Sequence, residues 1–173
     1  MSMFDGEKVK LEDMLQAKEE RVRKIKLLLK DSKCVLSFKL NIPGEIKNNA
    51  MIQKIFESGV EAIFDSELYK DTFFRQNVKT GPELFCSYGI PPVYVKNIAT
   101  RIENMHKLGR IFDIDVVTKD KAGELVYLSR RDTDRKEQKR KCYICENNAI
   151  DCARNRTHDI NEILKHIESM LLV

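Results

Sequence analysis

The sequence predicts an α+β domain: a mixed sheet with flanking helices and a nucleotidyltransferase-like site carried on one strand. Three observations predict it. Stretches with helical spacing are interspersed with short β-branched runs. At least two strand pairs are joined by hairpin-like connections, which disfavours a doubly wound parallel sheet. One apolar strand carries two carboxylates. The 173 residues are enough for a single domain spanning 1–173, with a Cys-rich segment 142–158 and a C-terminal helix as its last features.

The elements follow in order. Lys10 to Lys30 reads as a helix whose apolar face is Leu11, Leu15, Val22, Ile25 and Leu29. Glu12 and Asp13 lie near its start and Lys24, Lys26 and Lys30 near its end, as the helix dipole favours. Its basic face is expected to meet solvent. Cys34 to Ile42 is β-rich and stops at Pro43-Gly44. Asn48 or Asn49 can cap a second helix carrying Ile52, Ile55 and Phe56, with Gly59 as a possible interruption before the pattern resumes to about Tyr69. Thr72–Lys79 and Glu83–Ile90 form a hairpin around Thr80-Gly81-Pro82. Val93–His106 is helical through Val95, Ile98, Ile102 and Met105, and a Gly109 turn leads into the carboxylate-bearing strand. Leu125–Ser129 is a short strand, and Thr157–Leu171 the closing helix.

That carboxylate-bearing stretch is Leu108-Gly-Arg-Ile-Phe-Asp-Ile-Asp-Val-Val117. Strand side chains alternate, so Ile111, Asp113, Asp115 and Val117 share one face. Apolar residues bracket the two acids on their own face, which places them in a cleft. Two neighbouring anions repel in a desolvated site, and a divalent cation relieves that repulsion. Mg²⁺ takes one or two carboxylates plus substrate phosphates. The pattern therefore suggests metal-assisted chemistry on a phosphate ester; the plainer alternative is a solvated strand end.

Charge is concentrated. Arg130 to Lys141 holds seven basic and three acidic residues, so this stretch alone carries the +4 excess of the chain. It is either a polyanion-binding patch or a solvated loop. No apolar run approaches the length of a membrane span, and the N-terminus lacks a signal-like apolar core, so a cytoplasmic protein is expected. Three of the five cysteines cluster. Cys142, Cys145 and Cys152, with His158, can supply four ligands to Zn²⁺, or can simply pack a turn as buried thiols. Arg154 and Arg156 nearby can clamp phosphate. There is no Gly-rich phosphate loop and no serine nucleophile elbow.

Taken together, Pro43-Gly-Glu-Ile-Lys47, Leu108 to Val117, Leu128-Ser-Arg-Arg-Asp132 and Cys142-x2-Cys145 through Cys152-Ala-Arg154 to His158 closely resemble one family. It is the citrate lyase holo-acyl-carrier-protein synthase family, also called apo-citrate lyase phosphoribosyl-dephospho-CoA transferase. Departures are mild: Lys107 stands where the family often has Pro, Phe112 where Trp occurs, and Tyr143 where Leu is common. The resemblance implies transfer of a phosphoribosyl-dephospho-CoA group from 2'-(5''-triphosphoribosyl)-3'-dephospho-CoA to a serine of the citrate lyase acyl carrier protein, with release of diphosphate. On that reading Asp113 and Asp115 are catalytic and hold Mg²⁺, and either acid could take the serine proton. Gly109, Arg110, Arg130, Arg131 and Arg154 meet the donor, and no membrane or nucleic acid is expected as partner.

Two other functions compete. A zinc-dependent nucleic-acid-binding module would use the Cys/His cluster and the basic run, but the nearby aromatics are only Tyr127 and Tyr143, whereas single-strand binders need stacking platforms. An accessory protein that merely docks on a lyase complex would leave Asp113 and Asp115 structural.

Overall fold

A computed structural model describes residues 2–130 and 140–171. Its elements are α1 (Leu11–Leu28), β1 (Cys34–Leu40), α2 (Ala50–Phe64), β2 (Thr72–Val78), β3 (Gly81–Tyr88), α3 (Pro92–Met105), β4 (Phe112–Lys119), β5 (Leu125–Tyr127), α4 (Ala149–Asn155) and α5 (Ile160–Met170). The strands form one sheet in the order β2-β3-β1-β4-β5.

The α+β class is as the sequence predicts, but the pairing is not mixed: every neighbouring pair is antiparallel. The reason lies in one insertion. β1 and β2, joined through α2, run in the same direction, as in a parallel crossover unit. The β2–β3 hairpin then folds β3 between them, so no parallel pair forms.

The two sheet faces differ. One carries Leu36, Phe38, Leu84, Phe112 and Ile114 and packs against α2, α3 and α5 through Ile52, Phe56, Val95, Ile98 and Ile167. Each such side chain contributes roughly 1.5–3 kcal/mol on burial. Phe38 stacks on Phe56 at 4.9 Å and meets Phe112 edge-on at 5.3 Å. Gly59 does not interrupt α2. The Phe38 ring lies against it so closely that a Cβ would sit 2.3 Å from Phe38 Cζ. The glycine serves packing, and the helix ends at Phe64, not near Tyr69. Asn49 is the cap, accepting from Ile52 N at 2.8 Å.

The opposite face is covered only in part. Ile25 and Leu29 pack on Val35, Phe85 and Val117. Leu11 and Leu15, expected on the same buried stripe, are 74% and 54% exposed; the apolar packing of this helix on the sheet is made at its C-terminal end. The basic side of α1 is not wholly solvent-facing either. Arg21 pairs with buried Glu83, and Lys24 reaches Gln76 and lies 5.0 Å from the Phe74 ring centroid.

The C-terminal region holds two helices. α4 is only seven residues long and Cys152 is its one buried residue, so periodicity does not reveal it. It ends at Arg156, which takes the left-handed conformation with φ 49°, and Asp159 then caps α5 by accepting from Asn161 N at 2.8 Å.

Candidate active site

Asp113 and Asp115 sit on β4 at the end of the sheet face that α1 leaves uncovered. β1 supplies their partner. Lys39 lies directly opposite Asp113 in the ladder, and Ser37 opposite Asp115. The Lys39 ammonium bonds Asp113 Oδ2 and lies 3.3 Å from Asp115 Oδ2, so both carboxylates converge on one cation. Both acids are half-buried. Burial raises the Asp113 carboxyl, but the charge and hydrogen bond of Lys39, helped by Arg140 and Lys96, outweigh it and hold Asp113 below the usual carboxylate range.

The early part of β4 has no strand on its outer side, since β5 pairs only with Val117–Lys119. Side chains of α3 complete it. Buried Glu103 accepts from Ile114 N at 3.0 Å, and buried Lys96 donates to Ile114 O at 3.1 Å. Burial pushes the Lys96 ammonium down, and Glu103 and Asp115 partly restore it. Glu103 also anchors two arginines: Arg130 Nη2 at 2.5 Å and Arg140 Nη2 at 2.6 Å. Arg140 donates further to Phe112 O at 2.5 Å, and its Nη1 is 3.9 Å from Asp113 Oδ1. A guanidinium is thereby fixed beside the carboxylate pair.

The turn before β4 brings in Arg110. Gly109 is required sterically, since a Cβ there would lie 2.3 Å from the Glu103 carbonyl oxygen. His106 Nδ1 accepts from Leu108 N at 3.0 Å, which leaves Nε2 to carry the proton and donate to Ser58 Oγ at 3.1 Å. Burial lowers the His106 pKa, in keeping with a neutral, structural ring. Arg110 stacks its guanidinium 4.8 Å from the Tyr143 ring centroid. Its Nε and Nη1 are buried without a hydrogen-bond partner among the described residues. Unpaired buried donors are costly, so this fork is a ready receptor for phosphate oxygens.

Three hollows meet around these groups. One of about 180 Å³ is lined by Arg21, Lys39, Lys47, Glu83 and Asp113. A second, about 470 Å³, is lined by Glu103, His106, Gly109, Arg110, Arg130 and Arg140. The third and largest, about 810 Å³, is bounded by Pro43, Arg110, Arg140, Tyr143, Arg156 and Ile160 among others. Arg110 and Arg140 line both larger hollows, and Arg140 links them to Asp113.

Cys142, Cys145, Cys152 and His158 also come together, with one ligand atom from each within 4.8 Å of the others. Arg154 is exposed on α4, and it is Arg156 that lines the adjoining hollow. Arg131 lies outside the described residues.

Sequence reasoning did not single out Lys39, Glu103 or Lys96, and it met Arg140 only within the Arg130–Lys141 basic run and Tyr143 only as a nearby aromatic and a departure from the family pattern. Lys39 is identifiable only once the β1–β4 register is known. Glu103 and Lys96 look like ordinary polar positions of an amphipathic helix, spaced seven residues apart and so on one face. Tyr143 carries a signal, an aromatic inside the Cys-x2-Cys pair; its hydroxyl donates to Asn41 O at 2.5 Å and ties that segment to the end of β1.

No helix among the described residues is long and apolar enough to cross a membrane. Residues 9–172 match the family model described as apo-citrate lyase phosphoribosyl-dephospho-CoA transferase. A Vibrio cholerae serotype O1 (strain M66-2) protein named probable apo-citrate lyase phosphoribosyl-dephospho-CoA transferase is 36% identical over 178 residues, covering 98% of this chain and 96% of the relative. Proteins of Shigella boydii serotype 18 and Escherichia coli O157:H7, named apo-citrate lyase phosphoribosyl-dephospho-CoA transferase, are each 32% identical over 168 residues, covering 94% of this chain and 88% of theirs. With the match running through the carboxylate strand, the arginine-lined hollows and the cysteine cluster alike, the chain belongs to the apo-citrate lyase phosphoribosyl-dephospho-CoA transferase family.

Proposed function

We propose that this chain performs the transfer its family is named for, moving phosphoribosyl-dephospho-CoA onto apo-citrate lyase. The acceptor is a serine of the lyase acyl carrier protein, the donor is 2'-(5''-triphosphoribosyl)-3'-dephospho-CoA, and diphosphate leaves. The convergence of Asp113 and Asp115 on a single cation beside Arg140 carries this reading.

The donor's triphosphate belongs in the hollow lined by Arg110, Arg130 and Arg140. The larger hollow, with Pro43, Tyr143 and Ile160 among its walls, suits the dephospho-CoA portion. Two half-buried carboxylates already gathered around an ammonium fit Mg²⁺ carried in with a triphosphate. When bound, Mg²⁺ supplies charge neutralisation at the reacting phosphate and the departing diphosphate. The residues do the rest by positioning, which dominates catalysis of phosphoryl displacement. Lys39 and Arg140 hold the carboxylates in place and present positive charge to the phosphates. Asp113, held ionised by Lys39, is a poor proton acceptor. Asp115, on the same face and 3.3 Å from the Lys39 ammonium, is the residue assigned to take the serine proton. The serine Oγ–phosphorus bond forms as the bond to the diphosphate oxygen breaks, and a phosphodiester remains. A cytoplasmic location is part of this reading.

Mass spectrometry of apo carrier protein incubated with this chain, the triphosphoribosyl donor and Mg²⁺ tests the reading. A carrier heavier by the prosthetic group, and unchanged when a chelator is present, supports it. An unmodified carrier in every arm overturns it.

A further inference from the structure

The cysteine cluster that borders the largest of the three hollows is built like a metal site. Cys145 Sγ lies 3.5 Å from Cys152 Sγ and 3.3 Å from His158 Nε2, and all four ligand atoms fall within 4.8 Å of one another. In a tetrahedral zinc site, bond lengths near 2.3 Å to sulfur and 2.0–2.1 Å to nitrogen put ligand atoms about 3.6–3.8 Å apart. The Cys145 contacts are slightly tighter than that shell and the widest separation, up to 4.8 Å, is looser, so shifts of about 1 Å bring all four atoms onto one centre.

The surroundings of the ligands supply two further observations. Ile144 N donates to Cys142 Sγ at 3.5 Å, so the Cys-x2-Cys turn already directs a backbone N–H at the sulfur of its first cysteine. The other ring nitrogen of His158, Nδ1, is 3.7 Å from Glu162 Oε2 one turn into α5. A carboxylate behind a ligating histidine is the usual device for orienting the ring and raising its basicity. None of these cysteines is in a disulfide.

Buried apolar packing does little to hold the segment. Between Arg140 and His158 only Cys152 is buried among the apolar residues. Yet this segment must place Arg140 against Glu103 and Asp113, and Tyr143 against Arg110. We propose that Cys142, Cys145, Cys152 and His158 bind one structural Zn²⁺, which joins the turn before α4 to the start of α5 and so fixes the wall of the donor-side hollows. A four-ligand protein shell has no open position, so this zinc is structural and takes no part in the transfer.

The test is metal content, which does not depend on the transfer reaction. Purified without added metal, the wild-type chain should contain about one zinc per molecule by inductively coupled plasma mass spectrometry. Cobalt substituted for it should show thiolate charge-transfer and tetrahedral ligand-field bands. His158→Ala should lose most of the metal, whereas His158→Cys, which restores a fourth ligand, should retain it. If a variant is insoluble, the wild-type metal content and cobalt spectrum still decide. A wild-type chain without zinc that neither takes up cobalt tetrahedrally nor changes its melting temperature with a strong chelator would overturn the proposal.

Discussion

Lys39 stands directly across the β1–β4 ladder from Asp113, and its ammonium bridges that carboxylate and Asp115 two residues on. Replacing it exposes what the pair requires. Lys39→Met leaves two half-buried carboxylates facing each other and should cost about 1–3 kcal/mol of stability without divalent cation. Thermal shifts with and without Mg²⁺ check this: the variant should gain more from Mg²⁺ than the wild type does. An equal gain in both would argue against cation binding at this pair.

Acid should reveal the same interaction. The Asp113 carboxyl is depressed in the folded chain, so its contribution is fully present above the unfolded carboxylate pKa of about 3.9 and disappears as pH falls through the lower folded value. Urea denaturation of wild type and Asp113→Asn across the acid range should show the wild type more stable near neutrality. The two curves should converge below about pH 4.

Arg110 makes the opposite kind of prediction. Its Nε and Nη1 are buried and unpaired among the described residues, so the side chain is poorly rewarded until an anion arrives. Arg110→Met should leave stability within about 1 kcal/mol of wild type, since lost stacking on Tyr143 is offset by relieved desolvation. The donor KM should rise about tenfold or more, because a two-point guanidinium contact is lost. Arg110→Lys should not restore it, since an ammonium offers a point charge and no fork. Steady-state kinetics and melting curves separate the two effects.

Gly109 and Gly123 contrast space with conformation. A Cβ on Gly109 would lie 2.3 Å from the Glu103 carbonyl oxygen, whereas one on Gly123 meets nothing within 4 Å but sits at φ +85°. Gly109→Ala should destabilise by about 2–4 kcal/mol through a backbone shift at the arginine anchor. Gly123→Ala should cost only about 1 kcal/mol in backbone strain. Denaturant midpoints of the two variants check the order.

Much of this architecture was legible in the sequence. The two-residue alternation around Asp113 and Asp115 placed both acids on one face, and the Cys/His spacing anticipated the cluster. What could not be read was pairing. Lys39 becomes a site residue only through strand register, and Arg140 only through the buried Glu103 on a helix far from it in sequence. The antiparallel sheet was missed because β3 inserts between two strands that a crossover joins, a long-range choice that local pattern does not encode. Gly59 misled for a related reason: its meaning lies in the Phe38 ring across the core, not in the helix that contains it.

The most direct measurement is the rate of carrier modification by Asp113→Ala at saturating donor and Mg²⁺, with circular dichroism recorded on the same preparation. A wild-type spectrum with transfer reduced by about a thousandfold or more is expected if the carboxylate pair neutralises the reacting phosphates. Wild-type turnover in a correctly folded Asp113→Ala chain would contradict it.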